Sequence, residues 1–463
     1  MKYINNILSI AAMVAIAMGV VSCSEKDEYF DSEYQSTPIV VNKVYLEDYK
    51  SSVPDREVDF GRLGQMLRLE GSGFMGLKKV TVNGYETYFN RNYVTDNSML
   101  ITLNAKTPIT TADESERDII RLIKDNTELA YHFTIRAAMP GIKGISNTLP
   151  VAGETVTVFG NGLQETSSVT LPGDITVTEG IVSDDEDGEW FMFVMPQGVS
   201  QSGSITAVSA NGTAVSPAYF NYTECMILDF DGRYEQGGWG SSASMIMAED
   251  LVDDPLGQRG KVWQVVPDRI LDGGVKSSMS RVTECWTAGN GNANDDWSRM
   301  TAYIDPATPV TELAFQFDIY CPDPWSTTGQ IEILLINNYN FAGYTSDDNN
   351  KQSLTLFFIP YAQNGEPFST DGWTTVTIPF SEMGKYANII AVGEEPVPTL
   401  QTIIDDRNAS SYCNFGMGFA NTDFTFDGVE FKSENFTGPK IYIDSWRVVP
   451  FAAIEMSDFP EDE

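Results

Sequence analysis

Gly71-Ser-Gly-Phe74 followed by Val80-Thr-Val-Asn-Gly84, and Gly160-Asn-Gly-Leu163 followed by Val169-Thr-Leu-Pro-Gly173, are the stretches that decide the fold. Every matched position is offset by 89 residues, with no gap inside the motif. A lone G-x-G carries little information. A registered pattern of three glycines, an apolar residue and a V-T-apolar strand is far more specific. The first two glycines permit a bulge or tight turn, and the last permits a hairpin with positive φ.

Working outward, short alternating runs recur on both sides of the motif. Met66-Leu-Arg-Leu-Glu70, Lys79-Val-Thr-Val-Asn83, Thr155-Val-Thr-Val-Phe159 and Glu189-Trp-Phe-Met-Phe-Val194 read as half-buried strands, broken by Gly, Asn, Asp and Pro turns. The second copy ends with Gly203-Ser-Ile-Thr-Ala-Val208, an Asn211-Gly212 hairpin signal and Pro217-Ala-Tyr-Phe-Asn-Tyr222. The first copy carries a charged insertion around Asp113 to Arg121, and Ser115 to Lys124 reads as the one helix-like segment. Pro140 and Glu224-Cys225 read as joints between units.

From Cys225 to Phe451 the composition shifts, and seven of the eight tryptophans lie here, Trp190 being the exception. Met226-Ile-Leu-Asp-Phe-Asp-Gly232 opens the region and Lys440-Ile-Tyr-Ile-Asp-Ser-Trp-Arg-Val-Val-Pro450 closes it. Between them, Leu313–Tyr320, Gln330–Leu335 and Asp371–Phe380 read as strands of a large antiparallel sandwich, with the first and last strands adjacent.

The chain has 463 residues, enough for two to four domains, and a formal net charge of −36. That charge disfavours nucleic acid as a partner, because phosphate-neutralising basic patches are missing. His132 is the single histidine, so a Ser-His-Asp triad would have to use it and a His-rich zinc site is excluded. It sits in the alternating run Leu129–Ile135 and reads as a strand residue. Cys225, Cys285, Cys321 and Cys413 match no metal spacing, and one or two disulfides or buried thiols are both open. Gly289-Asn-Gly-Asn-Ala-Asn294 lacks the Lys-Ser/Thr ending of a phosphate loop, and Asp184-Asp-Glu-Asp-Gly188 lacks calcium-loop spacing. No cofactor and no metal are expected; Asp229 and Asp444 read as turn or edge residues rather than calcium ligands.

The repeat resembles the immunoglobulin-like IPT/TIG family of bacterial surface proteins. At the other end, Lys2, the apolar run Ile7 to Val21 and Val20-Val21-Ser22-Cys23 resemble a lipoprotein leader, and the acidic stretch Cys23–Asp31 is similar to an outer-membrane surface-export signal. The C-terminal pattern is similar to carbohydrate-binding jelly-roll modules. Taken together, the chain resembles the surface glycan-binding lipoproteins of gut-bacterial polysaccharide-utilisation systems, a family that includes xyloglucan binders. The implied fold is all-β, with two immunoglobulin-like sandwiches followed by a larger jelly-roll-like sandwich. The expected segments are a leader at 1–22, an acidic tether at 23–37, IPT/TIG domains at 38–137 and 138–223, a glycan-binding domain at 224–455 and an acidic tail at 456–463. The resemblance implies lipidation at Cys23, an outer-membrane, surface-exposed location, a polysaccharide partner, and a neighbouring importer and surface glycosidases. It implies non-catalytic capture of a plant glycan, xyloglucan or another β-glucan-type hemicellulose. A glycosidase or lyase, which needs only two carboxylates, and a protein-binding adhesin are the alternatives.

Sugar rings stack on aromatic faces while their hydroxyls need amide and carboxylate partners. Trp263, Trp373 and Trp446 lie on strands and read as core. Trp286 and Trp297 bracket the Gly/Asn-rich loop Glu284–Trp297, and Trp325 ends the proline-stiffened Cys321-Pro-Asp-Pro-Trp325. These three, with Asn337, Tyr339 and Tyr344, are the expected glycan-binding residues, and Trp239 is a weaker candidate.

Overall fold

A computed structural model describes residues 29, 32–238, 244–265, 281–289, 291–337, 353–393, 395–426, 428–436 and 438–459. The leader, Cys23 and most of the acidic tether, and also Trp239, Tyr339 and Tyr344, lie outside the described residues. The chain divides after Ala138 into two compact units, the second running from Met139 to Asp458.

In the first unit the strands Arg56–Glu57, Val40–Leu46, Met66–Ser72 and Ser98–Thr102 make one four-stranded sheet. Tyr85–Thr87, Lys79–Val82, Ile119–Ile123 and Glu128–His132 make the other. Period-two alternation sends Leu67, Leu69, Val80, Val82, Ile120 and Leu122 into the core between them. The helix expected over Ser115–Lys124 is a turn and then a strand. Ile120 and Leu122 alternate inward, and the β-branched pair Ile119-Ile120 suits a pleated surface better than a helix.

The second unit opens with the repeat. Gly141–Ile145, Thr155–Asn161, Trp190–Val194 and Val182–Ser183 form one sheet, and Ile175–Val177, Ser168–Leu171, Thr206–Ser209 and Gly212–Val215 form the other. The two copies share their irregularities. Each has a bulge in the strand preceding the motif, between Val41 and Lys43 in one and between Ile142 and Gly144 in the other. A Cβ on Gly71 would stand 1.8 Å from the Val40 carbonyl oxygen, and one on Gly160 would stand 2.0 Å from that of Gly141. Gly73 and Gly162 adopt φ of 74° and 67°. The motif is therefore a backbone crossing that tolerates no side chain.

The remainder is a larger sandwich. Val252–Asp253, Lys261–Gln264, Tyr442–Pro450, Leu313–Tyr320 and Thr374–Pro379 run in that order, with Met226–Leu228 also pairing Tyr442–Pro450. The first and last strands of the domain are thus adjacent. The facing sheet is Gln236–Gly237, Arg281–Thr287, Gly416–Ala420, Gln330–Leu334 and Thr355–Phe358. Two helices, Gly384–Val392 and Leu400–Asn408, were not expected from the sequence. Phe315, Phe317, Ile319, Ile331, Ile333, Met417, Phe419 and Trp446 fill the space between the sheets.

Leu313–Tyr320 is buried on both faces except at its last residue. Its second face is covered by the preceding immunoglobulin-like sandwich through a polar junction. Arg447 donates to Asp318 Oδ1 at 2.9 Å, to Gln316 Oε1 at 3.1 Å and to Thr148 Oγ1 at 2.8 Å. The Thr148 N–H donates to Thr375 Oγ1 at 2.9 Å, and the Thr375 N–H donates to the Ser146 carbonyl at 2.7 Å. Arg259 donates to Asp318 at 2.6 Å and to Asp444 at 3.1 Å, so Asp444 faces an arginine. Burial opposes ionisation of Asp318, but Arg447 and Arg259 outweigh it and hold the carboxyl below its usual range. Burial instead pushes Asp444 up to about 6, against the pull of Arg259.

Candidate functional site

The five-stranded sheet turns one face to the core and carries Glu284, Trp286, Gln330, Glu332 and Leu334 on the other. Trp286 lies over Gly416, its register partner, where a Cβ would meet the indole at 2.2 Å. Its Nε1 donates to Glu284 Oε2 at 2.9 Å, and Met245 and Leu334 pack beside it. Glu284 and Glu332 both pair in register with Gly418, one from each side, so two carboxylates share this face. Both are fully buried, Glu284 taking bonds from Trp286 and Ser244, and Glu332 one from Gln330.

Trp297 opens the 3-10 turn Trp297–Ala302 and points inward. Arg407 lies 4.3 Å from its ring centre, with Phe415 and Phe380 completing the cage. The loop before it is tied down by Asp295. Its Oδ2 accepts from Thr287 Oγ1 at 2.6 Å and from the Gly289 N–H at 2.8 Å, and Arg407 donates to Oδ1 at 3.2 Å. Burial raises the Asp295 carboxyl, an effect Arg407 opposes. Trp325 folds back over the sheet end, donating to the Thr328 carbonyl at 2.8 Å among Phe358, Tyr361 and Phe419.

The expectation that these three tryptophans form an exposed stacking platform is corrected here: Trp286, Trp297 and Trp325 are 0, 2 and 1% exposed. The reason lies in tertiary partners. Gly416, Arg407 and the Phe358–Tyr361 pair supply flat or cationic surfaces that bury each ring more completely than a ligand would. Trp263, Trp373 and Trp446 are buried as expected, Trp373 donating to Asp254 at 3.1 Å.

What this end of the sandwich presents outward is polar. The Asn337 N–H donates to the Tyr412 carbonyl at 3.0 Å, and the Tyr412 ring is 66% exposed. Two residues on, Asn414 Nδ2 donates to the Thr287 carbonyl at 2.8 Å against Gly289. Asn292, whose N–H bonds the Gly289 carbonyl, donates its side chain to Glu235 at 2.6 Å. One ring, three asparagines and a carboxylate are therefore tied into this end of the sandwich by short bonds. Tyr412 was missed by sequence reading. Its signal is Ser410-Ser-Tyr-Cys-Asn414, a polar run directly after a helix that has no apolar partner spacing. Cys225, Cys285, Cys321 and Cys413 are present as thiols and not as disulfides. Among the described residues no group of three or more His, Cys, Asp or Glu side chains is placed to hold a metal ion.

The twin-sheet domain thus carries an amide-rimmed edge with one exposed ring. Residues 220–450 match the family described as "Surface glycan-binding protein B xyloglucan binding domain", and by that domain the chain belongs to the surface glycan-binding proteins. An "IPT/TIG domain-containing protein" of Bacteroides ovatus is 28% identical over 204 residues, 44% of this chain. The match spans only 38% of that relative's length. The crystal structure of the surface glycan-binding protein PbSGBP-B from Prevotella bryantii aligns over 90% of this chain and 99% of its own, with 19% identity and a TM-score of 0.61. It supports the multi-sandwich fold. SGBP-B from a complex xyloglucan utilization locus in Bacteroides uniformis aligns over 89% of this chain and 99% of its own, at 16% identity and a TM-score of 0.43.

Proposed function

We propose that the C-terminal sandwich captures a neutral plant glycan, xyloglucan or another β-glucan-type hemicellulose, at the cell surface without cleaving it. The family match over residues 220–450 carries this reading. The glycan is held at the edge formed by Asn337, Tyr412, Asn414 and Asn292; Tyr339 and Tyr344, the other expected glycan-binding residues, lie outside the described residues. The chemistry agrees: amides bond hydroxyls and a ring covers a sugar face. Non-cleavage is supported by Glu284 and Glu332. These two carboxylates share a sheet face, and both are buried and hydrogen-bonded rather than presented to a glycosidic bond.

Among the described residues no helix is long and apolar enough to cross a membrane. A lipid on Cys23 would supply attachment, placing the chain on the outer membrane beside an importer and surface glycosidases. Affinity electrophoresis against xyloglucan, mixed-linkage β-glucan, xylan and mannan tests the reading. Retardation by a β-glucan, reduced in Tyr412→Ala, Tyr339→Ala or Tyr344→Ala, is expected. Release of oligosaccharides on prolonged incubation, or free migration with every polymer, overturns it.

A further inference from the structure

The second unit holds another surface of sugar-binding chemistry, away from the edge just described. Where the immunoglobulin-like sandwich of residues 138–223 meets the larger one, a cavity of about 570 Å³ opens, within the range of ligand pockets. One wall is the outward face of Thr155–Asn161. Thr155, Thr157 and Phe159 follow at every second position, while Val156 and Val158 fill the core behind them. The opposite wall is the segment from Phe368 to Thr374, and Asn147 and Gln258 add amides. Glu154 and Asp371 add carboxylates and no lysine or arginine is among the described lining residues, so the surface offers acceptors to a hydroxyl-rich ligand and disfavours an anion.

Three features separate this surface from an ordinary crevice. Its walls are fixed: the Thr375 N–H reaches the Ser146 carbonyl at 2.7 Å, and Phe368 exchanges backbone bonds with Trp325 at 2.8 and 2.9 Å. A preformed cleft loses little entropy on binding. Phe159 is 47% exposed, although an aromatic ring is costly to leave in water. It is also not alone. Trp190 is its register partner on the neighbouring strand, so both rings stand on the same outward face. Val194, Val182 and Met192 continue that face, the first two about half exposed. A flat apolar strip leading out of a polar cleft matches a polymer whose C–H faces and hydroxyls alternate.

We infer that this cleft, with the Phe159–Trp190 strip, is a second glycan-binding surface for the same class of neutral β-linked polysaccharide. The inference rests on the glycan-binding reading of the C-terminal sandwich. A long chain engaging both surfaces of one unit gains affinity through the high effective concentration of its second segment. A short oligosaccharide occupies the two independently.

The test uses the full chain with xyloglucan polymer and a short xyloglucan oligosaccharide, in affinity electrophoresis and calorimetric titration. Phe159→Ala removes the half-exposed ring, and Thr157→Arg fills the cleft from a partly exposed position. Each is checked for folding by its urea midpoint. Both are expected to weaken polymer binding roughly three- to tenfold, the worth of one aromatic contact. Both lower the oligosaccharide stoichiometry from two to one, while Tyr412→Ala retains the second binding event. Wild-type affinity and stoichiometry in both cleft variants, alongside lost binding in Tyr412→Ala, overturns the second surface and leaves the first reading intact. A wild-type chain that binds no polysaccharide overturns both.

Discussion

Replacing Arg447 by Met tests whether the polar junction inside the second unit holds it together. Arg447 and Asp318 are both 0% exposed, and the guanidinium donates to Asp318, Gln316, the Ser445 carbonyl and Thr148. The four charged groups Arg259, Arg447, Asp318 and Asp444 sum to zero. Removing Arg447 leaves one uncompensated negative charge in a dry site, still touched by Arg259 at 2.6 Å. Stranding one partner of a buried pair costs about 3–5 kcal/mol, and the Met side chain recovers only part of the lost packing. The double variant Arg447→Met/Asp318→Leu restores neutrality, leaving Arg259 with Asp444, and should be less destabilised than the single. Urea unfolding followed by tryptophan fluorescence supplies the free energies, urea being uncharged and leaving ion pairs unscreened. A single-variant loss under about 1 kcal/mol, or a double variant less stable than the single, would refute the argument.

The same packing sets other outcomes. Trp325→Ala and Trp297→Ala should each destabilise by about 3–5 kcal/mol in urea, as core rings do, so any binding loss tracks the unfolded fraction. Gly416→Ala should cost about 1–3 kcal/mol, because its Cβ would strike the Trp286 ring at 2.2 Å, and near-ultraviolet circular dichroism should show that ring displaced. Asp444, raised to about 6 by burial, binds its proton more readily folded than unfolded. Its destabilising contribution is therefore full above pH 6 and vanishes as pH falls below the ordinary aspartate range. The stability of Asp444→Asn relative to wild type should decline by up to about 3 kcal/mol between pH 7 and pH 4, measured by paired urea titrations. Burial lifts the Cys225 thiol to about 11 and that of Cys321 to about 12, so a thiol reagent at pH 8 should modify partly exposed Cys413 well before either.

The repeat was legible because its glycines answer a local demand. Gly71 and Gly160 lie where one backbone crosses another, and no other residue fits there. Strand alternation likewise foretold Leu313–Tyr320, since period two is written into the chain itself, while the adjacency of Met226–Leu228 to Tyr442–Pro450 was expected from the sandwich architecture. The helix Gly384–Val392 was not legible from its Ile-Ile and Val content, though Gly393, left-handed at φ 69°, marks its end. The fate of loop tryptophans was illegible for a different reason. Trp297 is buried by Arg407 and Trp286 by Gly416, partners more than a hundred residues away whose presence no local pattern announces. A ring among Asn and Gly reads the same whether it awaits a sugar or a guanidinium. Asn337 drew an expectation because amide-rich runs stay at surfaces, and Tyr412 drew none because it stands alone.

The Thr148–Arg447–Asp318 junction has a mechanical consequence. A hinge at Glu224 would let the terminal sandwich swivel under a moving polymer, dissipating any tug in rotation. The joint is instead buried and cross-bonded, Arg447 on the strand Tyr442–Pro450 reaching Thr148 of the preceding sandwich. Under the proposed function, a polymer pulled at the terminal sandwich would meet a cross-bonded joint rather than a free swivel.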